Sequence, residues 1–144
     1  MFALMRPLSE QSTAQWGKMN AQQMTEHWTD FFNVSVEKII FPLVTPPEHL
    51  ARYREFLYSD KAFKENTKAP AEVLGEEPLP LRTATLQDAK DKLKKTVEYF
   101  FKYFNDEPEK VTLHPAFGML LYSEWLMLHY KHVKHHLRQF NLIP

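Results

Sequence analysis

A chain of 144 residues has the size of one domain, and a 44% hydrophobic content with eleven Phe, six Tyr and three Trp supplies a core without covalent staples. Lys plus Arg equals Asp plus Glu at 18 each, so the basic surplus needed for non-specific nucleic-acid or anionic-membrane binding is absent. The lack of cysteine excludes disulfides, thiolate metal sites and a cysteine nucleophile.

Any metal site must therefore use histidine and carboxylate ligands, which suit zinc, nickel or iron better than copper(I). A cysteine-free chain fits a reducing compartment, and the start, Met1 to Arg6 followed by Pro7, lacks the charged and apolar regions of a signal peptide. No stretch approaches the ~18 apolar residues of a membrane span. The expectation is a cytoplasmic protein with neither nucleic-acid nor membrane partners.

Three Gly against ten Pro, most of them between periodic segments, reads as helices punctuated by prolines. Residues 1–19 form an irregular lead-in ending at Trp16-Gly-Lys-Met19. Asn20 with Gln23 makes a capping-box pattern, so a first helix is predicted from about Ala21 to Val36, with Met24, Trp28, Phe31 and Phe32 as its apolar stripe. Ile39–Val44 is a short apolar crossover. Thr45 is the expected cap of a second helix that admits Pro46 in its first turn and runs to about Ser59. Residues 60–84, with Pro70, Pro78 and Pro80, read as a long surface connection.

Thr85 with Asp88 opens a third helix, whose inner stripe is Leu86, Ala89, Leu93, Val97, Phe100, Phe101 and Phe104, and which stops before Pro108. The stretch from Val111 to Tyr122, containing His114-Pro-Ala-Phe-Gly118, reads as a loop. Ser123 is the expected cap of a fourth helix to about Phe140. The fold class predicted is all-α: one domain over residues 1–144, a four-helix bundle with long crossover connections.

Four of the seven histidines fall within eight residues, at 129, 132, 135 and 136. His132 and His136 lie one turn apart on one helical face, where their Cβ atoms are about 5–6 Å apart and their imidazoles can converge on one ion. His129 lies close to the same face, so it can also pair with His132. Trp125 and Phe140 extend this stripe, which turns it toward the core, whereas His135 points away. A His-x3-His pair alone is common on helix surfaces, so further ligands must come from a facing helix. His27, in the apolar stripe of the first helix, is the best candidate, although read alone it also fits a hydrogen-bonded core histidine. Three histidines leave a coordination position for water or substrate, as in catalytic zinc sites. His49 and His114 read as surface or loop residues, Glu26 and Asp30 as solvated, and Gln23 as cap or outer support.

The final-helix segment His132-Val-Lys-His-His136-Leu-Arg-Gln139 resembles the terminal motif of the DinB-like (DinB/YfiT) superfamily. Trp16-Gly-Lys-Met19, Gln23-Met24, His27, His114-Pro-Ala-Phe-Gly118 and His135-His-Leu-Arg-Gln-Phe140 are together similar to its DUF1569 branch, over about Leu8 to Leu142. The resemblance implies a four-helix bundle with crossovers and a three-histidine metal site at His27, His132 and His136. It makes His129 a neighbour hydrogen-bonded to the site, or its general base.

Members of the wider superfamily include metal-dependent transferases that use mycothiol, bacillithiol or glutathione. The resemblance thus implies a divalent metal ion as cofactor (zinc, nickel or iron), and a small-molecule thiol as partner in S-transfer or, second, hydrolysis. The alternative is a non-catalytic metal- or ligand-binding bundle. A homodimer using exposed aromatics such as Trp28 or Tyr103 is a further expectation.

Overall fold

In the computed structural model, which describes residues 1–144, two helices start where the sequence supplies their caps. Asn20 accepts the Gln23 N–H at 2.8 Å and the Gln23 side chain accepts the Asn20 N–H at 3.0 Å, closing the expected box at the start of α1 (Ala21–Ser35). The Thr85 hydroxyl accepts the Asp88 N–H at 3.1 Å and so caps α3 (Leu86–Asp106), which ends before Pro108. The Thr45 cap is not used. A single 3-10 turn over Pro47–His49 leads into a short α2 (Leu50–Tyr58) with no side-chain cap on either, and Thr45 is buried. The last helix, α4 (Tyr122–Gln139), starts one residue before Ser123, and the Glu124 carboxylate accepts the Leu121 N–H at 2.9 Å.

The all-α four-helix bundle expected from the sequence is not what the chain forms. Val111 to Tyr122 is not a loop: β1 (Val111–His114) and β2 (Gly118–Leu121) pair antiparallel, from Val111↔Leu121 to His114↔Gly118. With this sheet the fold is mixed and about 49% helical. Strand periodicity explains the pairing. Thr112, His114, Gly118 and Leu120 face inward while Val111, Met119 and Leu121 face out, so each four-residue strand has one buried side. The turn is closed by His114, whose Nδ1 accepts the N–H groups of Ala116 at 3.0 Å and Phe117 at 3.2 Å. Gly118 follows at φ +80°, a backbone region that side chains with a Cβ resist.

The core lies where α1, α3, α4 and the hairpin meet, with Met24, Trp28, Leu93, Phe100, Leu120, Trp125 and Leu128 sealed from solvent. Polar bridges fix the hairpin beneath it: the Thr112 hydroxyl donates to the Ser35 carbonyl, and the Trp125 indole donates to Thr112, both at 2.8 Å. Trp28 is thus a core residue, not an exposed interface aromatic, because its side chain is fully sealed from solvent. Tyr103 hydrogen-bonds Glu37 at 2.7 Å.

Residues 60–84 carry no helix or strand, as expected, but their second half is fastened to α1. Glu26, expected to be solvated, is 4% exposed. It accepts the N–H groups of Arg82 (3.1 Å) and Thr83 (2.9 Å) and the Thr83 hydroxyl (2.6 Å). Asp30 takes a two-bonded grip from the Arg82 guanidinium at 2.7 and 2.8 Å. A helical wheel marks these carboxylates as turned away from α4; it contains nothing about the connection that covers them. No helix is long and apolar enough to cross a membrane.

Candidate metal centre

His27 stands midway along α1, and His132 and His136 stand one turn apart on α4. The packing of these two helices brings the three imidazoles together. The His132 Nε2 lies 2.9 Å from His27 Nε2 and 3.0 Å from His136 Nε2. Candidate ligand atoms of all three residues fall within 4.8 Å of one another. His136 is buried, and His27 and His132 are largely buried with it.

All three rings are held neutral. Burial pushes His27 down to about 4; the nearby Asp30 carboxylate opposes this shift, and the His135 and Arg82 charges add to it. Burial, reinforced by the neighbouring imidazoles, holds His132 and His136 well below the usual histidine range. Near neutral pH, lone pairs are therefore available for coordination without displacing protons from imidazolium ions.

The outer nitrogen of His136 meets Gln139. Its Nδ1 is 2.7 Å from the Gln139 Oε1, and the Gln139 Nε2 donates to the Trp16 carbonyl at 2.7 Å. A carbonyl only accepts, so the amide nitrogen of Gln139 must face Trp16 and its oxygen must face His136, which then donates from Nδ1. The His136 Nε2 consequently presents a lone pair to the cluster.

Three nitrogens meeting in this way cannot all be paired by hydrogen bonds. A proton on His132 Nε2 can point at His136 or at His27 but not squarely at both, and the other nitrogen of His132 is buried without a protein partner. A cation between the rings satisfies every inward lone pair at once. Tetrahedral coordination at ~2.0–2.1 Å separates ligand nitrogens by about 3.3 Å; the two edges at His132, 2.9 and 3.0 Å, would open by a few tenths of an ångström, and the remaining His27–His136 edge, which lies within 4.8 Å, would adjust to match. Three neutral nitrogen donors without a thiolate match the preferences of zinc, nickel and iron, and leave positions free for an exogenous ligand.

His27, His132 and His136 thus converge, and the other four histidines do not join them. His129, on the same face of α4, makes no hydrogen bond through either nitrogen. Its ring stacks on Phe32 at 3.8 Å and against Trp125 at 5.5 Å, so it is packed as an aromatic core element and not as a hydrogen-bonded neighbour of the cluster. His135, expected to point outward, is 9% exposed because Trp16 and Phe63 cover it, at 5.6 and 6.1 Å between ring centroids. His114 is the buried acceptor of the hairpin turn, and His49 is exposed. Gln139 was legible only as part of a motif; its position three residues after His136 on a helix was the signal that it could reach that ring. The Trp16 carbonyl left no signal, since backbone groups are invisible in side-chain patterns. In comparisons with known proteins, no family model, no curated protein and no solved structure matches the chain.

Proposed function

We propose that this protein binds one divalent metal ion, zinc, nickel or iron(II), through His27, His132 and His136, and that it is a metal-dependent transferase of a low-molecular-weight thiol. The observation carrying the metal reading is the convergence of three neutral imidazole nitrogens whose mutual contacts hydrogen bonding alone cannot satisfy. The transferase reading rests on the resemblance of the histidine and Trp-Gly-Lys-Met segments to the DinB-like superfamily, an analogy that bears on chemistry less directly than on ligands. A divalent ion in such a site supplies Lewis acidity, which lowers the pKa of a bound thiol or water. The protein's own part is to fix three ligands from two helices and to keep them neutral by burial.

A non-catalytic metal-binding role is the second reading. It is favoured by the engagement of the ionisable groups beside the cluster: Asp30 is held in both oxygens by Arg82, and His135 is covered by Trp16 and Phe63. Asp30, with both oxygens engaged, is not free to move a proton for a bound substrate.

Untagged protein grown with zinc, nickel and iron present should carry about one equivalent of metal by mass spectrometry of the purified chain, and His132→Ala should carry almost none. Wild-type protein with no bound metal would remove both readings. With metal present, conjugation of monochlorobimane to glutathione, bacillithiol or mycothiol separates them. Turnover that disappears with the metal and with His136→Ala supports the transferase; turnover indifferent to both leaves the binding role.

A further inference from the structure

The last turn of α4 is gripped by the segment just ahead of α1. The Gln15 N–H donates to the Gln139 carbonyl at 2.7 Å, and the Gln139 side chain donates to the Trp16 carbonyl at the same distance. The next residue, Gly17, has φ +78°, and a Cβ placed there would stand 2.8 Å from the Gln139 Nε2. A side chain is therefore excluded twice, by backbone conformation and by the amide packed against it. Lys18 then pairs with Glu77, which joins this strap to the connection lying along α1. Both faces of Gln139 are used: the strap takes its N–H, and the only group offered to its oxygen is the His136 Nδ1–H.

From this we infer that Gln139 is a positioning residue. Clamped by the Trp16–Gly17 backbone, it locks His136 as the Nδ1–H tautomer and aims the His136 Nε2 lone pair at His27 and His132. The strap thereby sets the quality of a ligand that it never touches. Partners of this kind orient a ligating imidazole and raise its basicity. The inference builds on the metal reading above, but its first consequence, the tautomer, exists without metal.

The test uses the full chain and three variants, Gln139→Ala, Gln139→Glu and Gly17→Ala, each checked for intact helicity by circular dichroism. Long-range proton–nitrogen correlation spectra of metal-free protein at neutral pH report which ring nitrogen of His136 carries the proton. The wild type should show a single Nδ1–H form. Gln139→Ala should show mixed tautomers, and Gln139→Glu should restore the single form, since a carboxylate still accepts from Nδ1 while losing the bond to Trp16. Zinc affinity from competition with a chromophoric chelator should fall about 10–100-fold in Gln139→Ala. It should fall less in Gln139→Glu, and it should fall measurably in Gly17→Ala, where ligands and Gln139 are all retained.

A Gln139→Ala protein that keeps one Nδ1–H tautomer overturns the inference, as does a Gly17→Ala protein with unchanged tautomer and unchanged zinc affinity. Should the wild type bind no zinc, nickel or iron(II), the metal reading falls, and the tautomer spectra still decide the role of Gln139.

Discussion

His114 and His136 have the same side chain and opposite tautomers, because their neighbours differ. His114 Nδ1 accepts two backbone N–H groups and must keep its proton on Nε2, whereas His136 Nδ1 donates to Gln139. Protonating His114 would break both turn bonds in a buried place, and burial accordingly pushes its pKa from 6.5 down to about 3. As pH falls, the unfolded chain takes up this proton before the folded one does. The stability contributed by a neutral His114 is thus complete above about 6.5 and drains away as pH falls toward 3. His129, depressed by burial, acts in the same direction. The urea midpoint of the metal-free protein should be lower at pH 5 than at pH 7.5, and equal midpoints would contradict this account. At pH 7.5 His114→Ala, which strands two donors, should cost about 1–3 kcal/mol. Helical spacing and stripe made His27 and the α4 histidines readable as candidates, and the resemblance, not the spacing, selected His132 with His136 over His129. The roles of His129 and His135 were not readable, since rings from other elements cover them, and that of His114 was not, since the turn it closes read as a loop.

At the scale of elements, α1 serves two faces. One carries His27 toward α4; the other holds Glu26 under the end of the long connection. Burial alone would raise the Glu26 pKa, but hydrogen bonds from Thr83 and Arg82 outweigh it and leave the carboxyl below its ordinary value. Glu26→Ala should therefore strand the backbone N–H groups of Arg82 and Thr83 and destabilise the fold by about 2–3 kcal/mol. The segment around Leu79–Thr83 should become the preferred site of limited proteolysis, while the α1 and α3 amides stay protected from hydrogen exchange. Cleavage elsewhere first would argue against Glu26 as the anchor. The starts of α1 and α3 could be read from sequence because a cap and its partner lie three residues apart. The hairpin could not: four-residue strands are too short for their alternation to stand out in the sequence, and the Ser35 carbonyl that anchors their buried side through Thr112 belongs to α1.

For the molecule as a whole, the three-histidine cluster joins residues of very unequal separation. His132 and His136 are four residues apart, whereas His27 and His132 are 105 apart. An ion bound by all three acts as a cross-link between α1 and α4, and it contributes only in the folded state. The two α4 ligands can meet an ion as soon as that helix forms, but the third must wait for closure of a loop of about a hundred residues, which carries a large entropic cost. Full coordination consequently belongs late on the folding path. Metal should slow unfolding far more than it speeds folding, since interactions absent from the transition state act on the exit rate. Stopped-flow chevrons with saturating zinc and with chelator should share a folding limb and differ in the unfolding limb, and His27→Ala should abolish the difference. Under these kinetics a bound ion would be a timer of how long the native state persists, set by a contact that forms last and must break first.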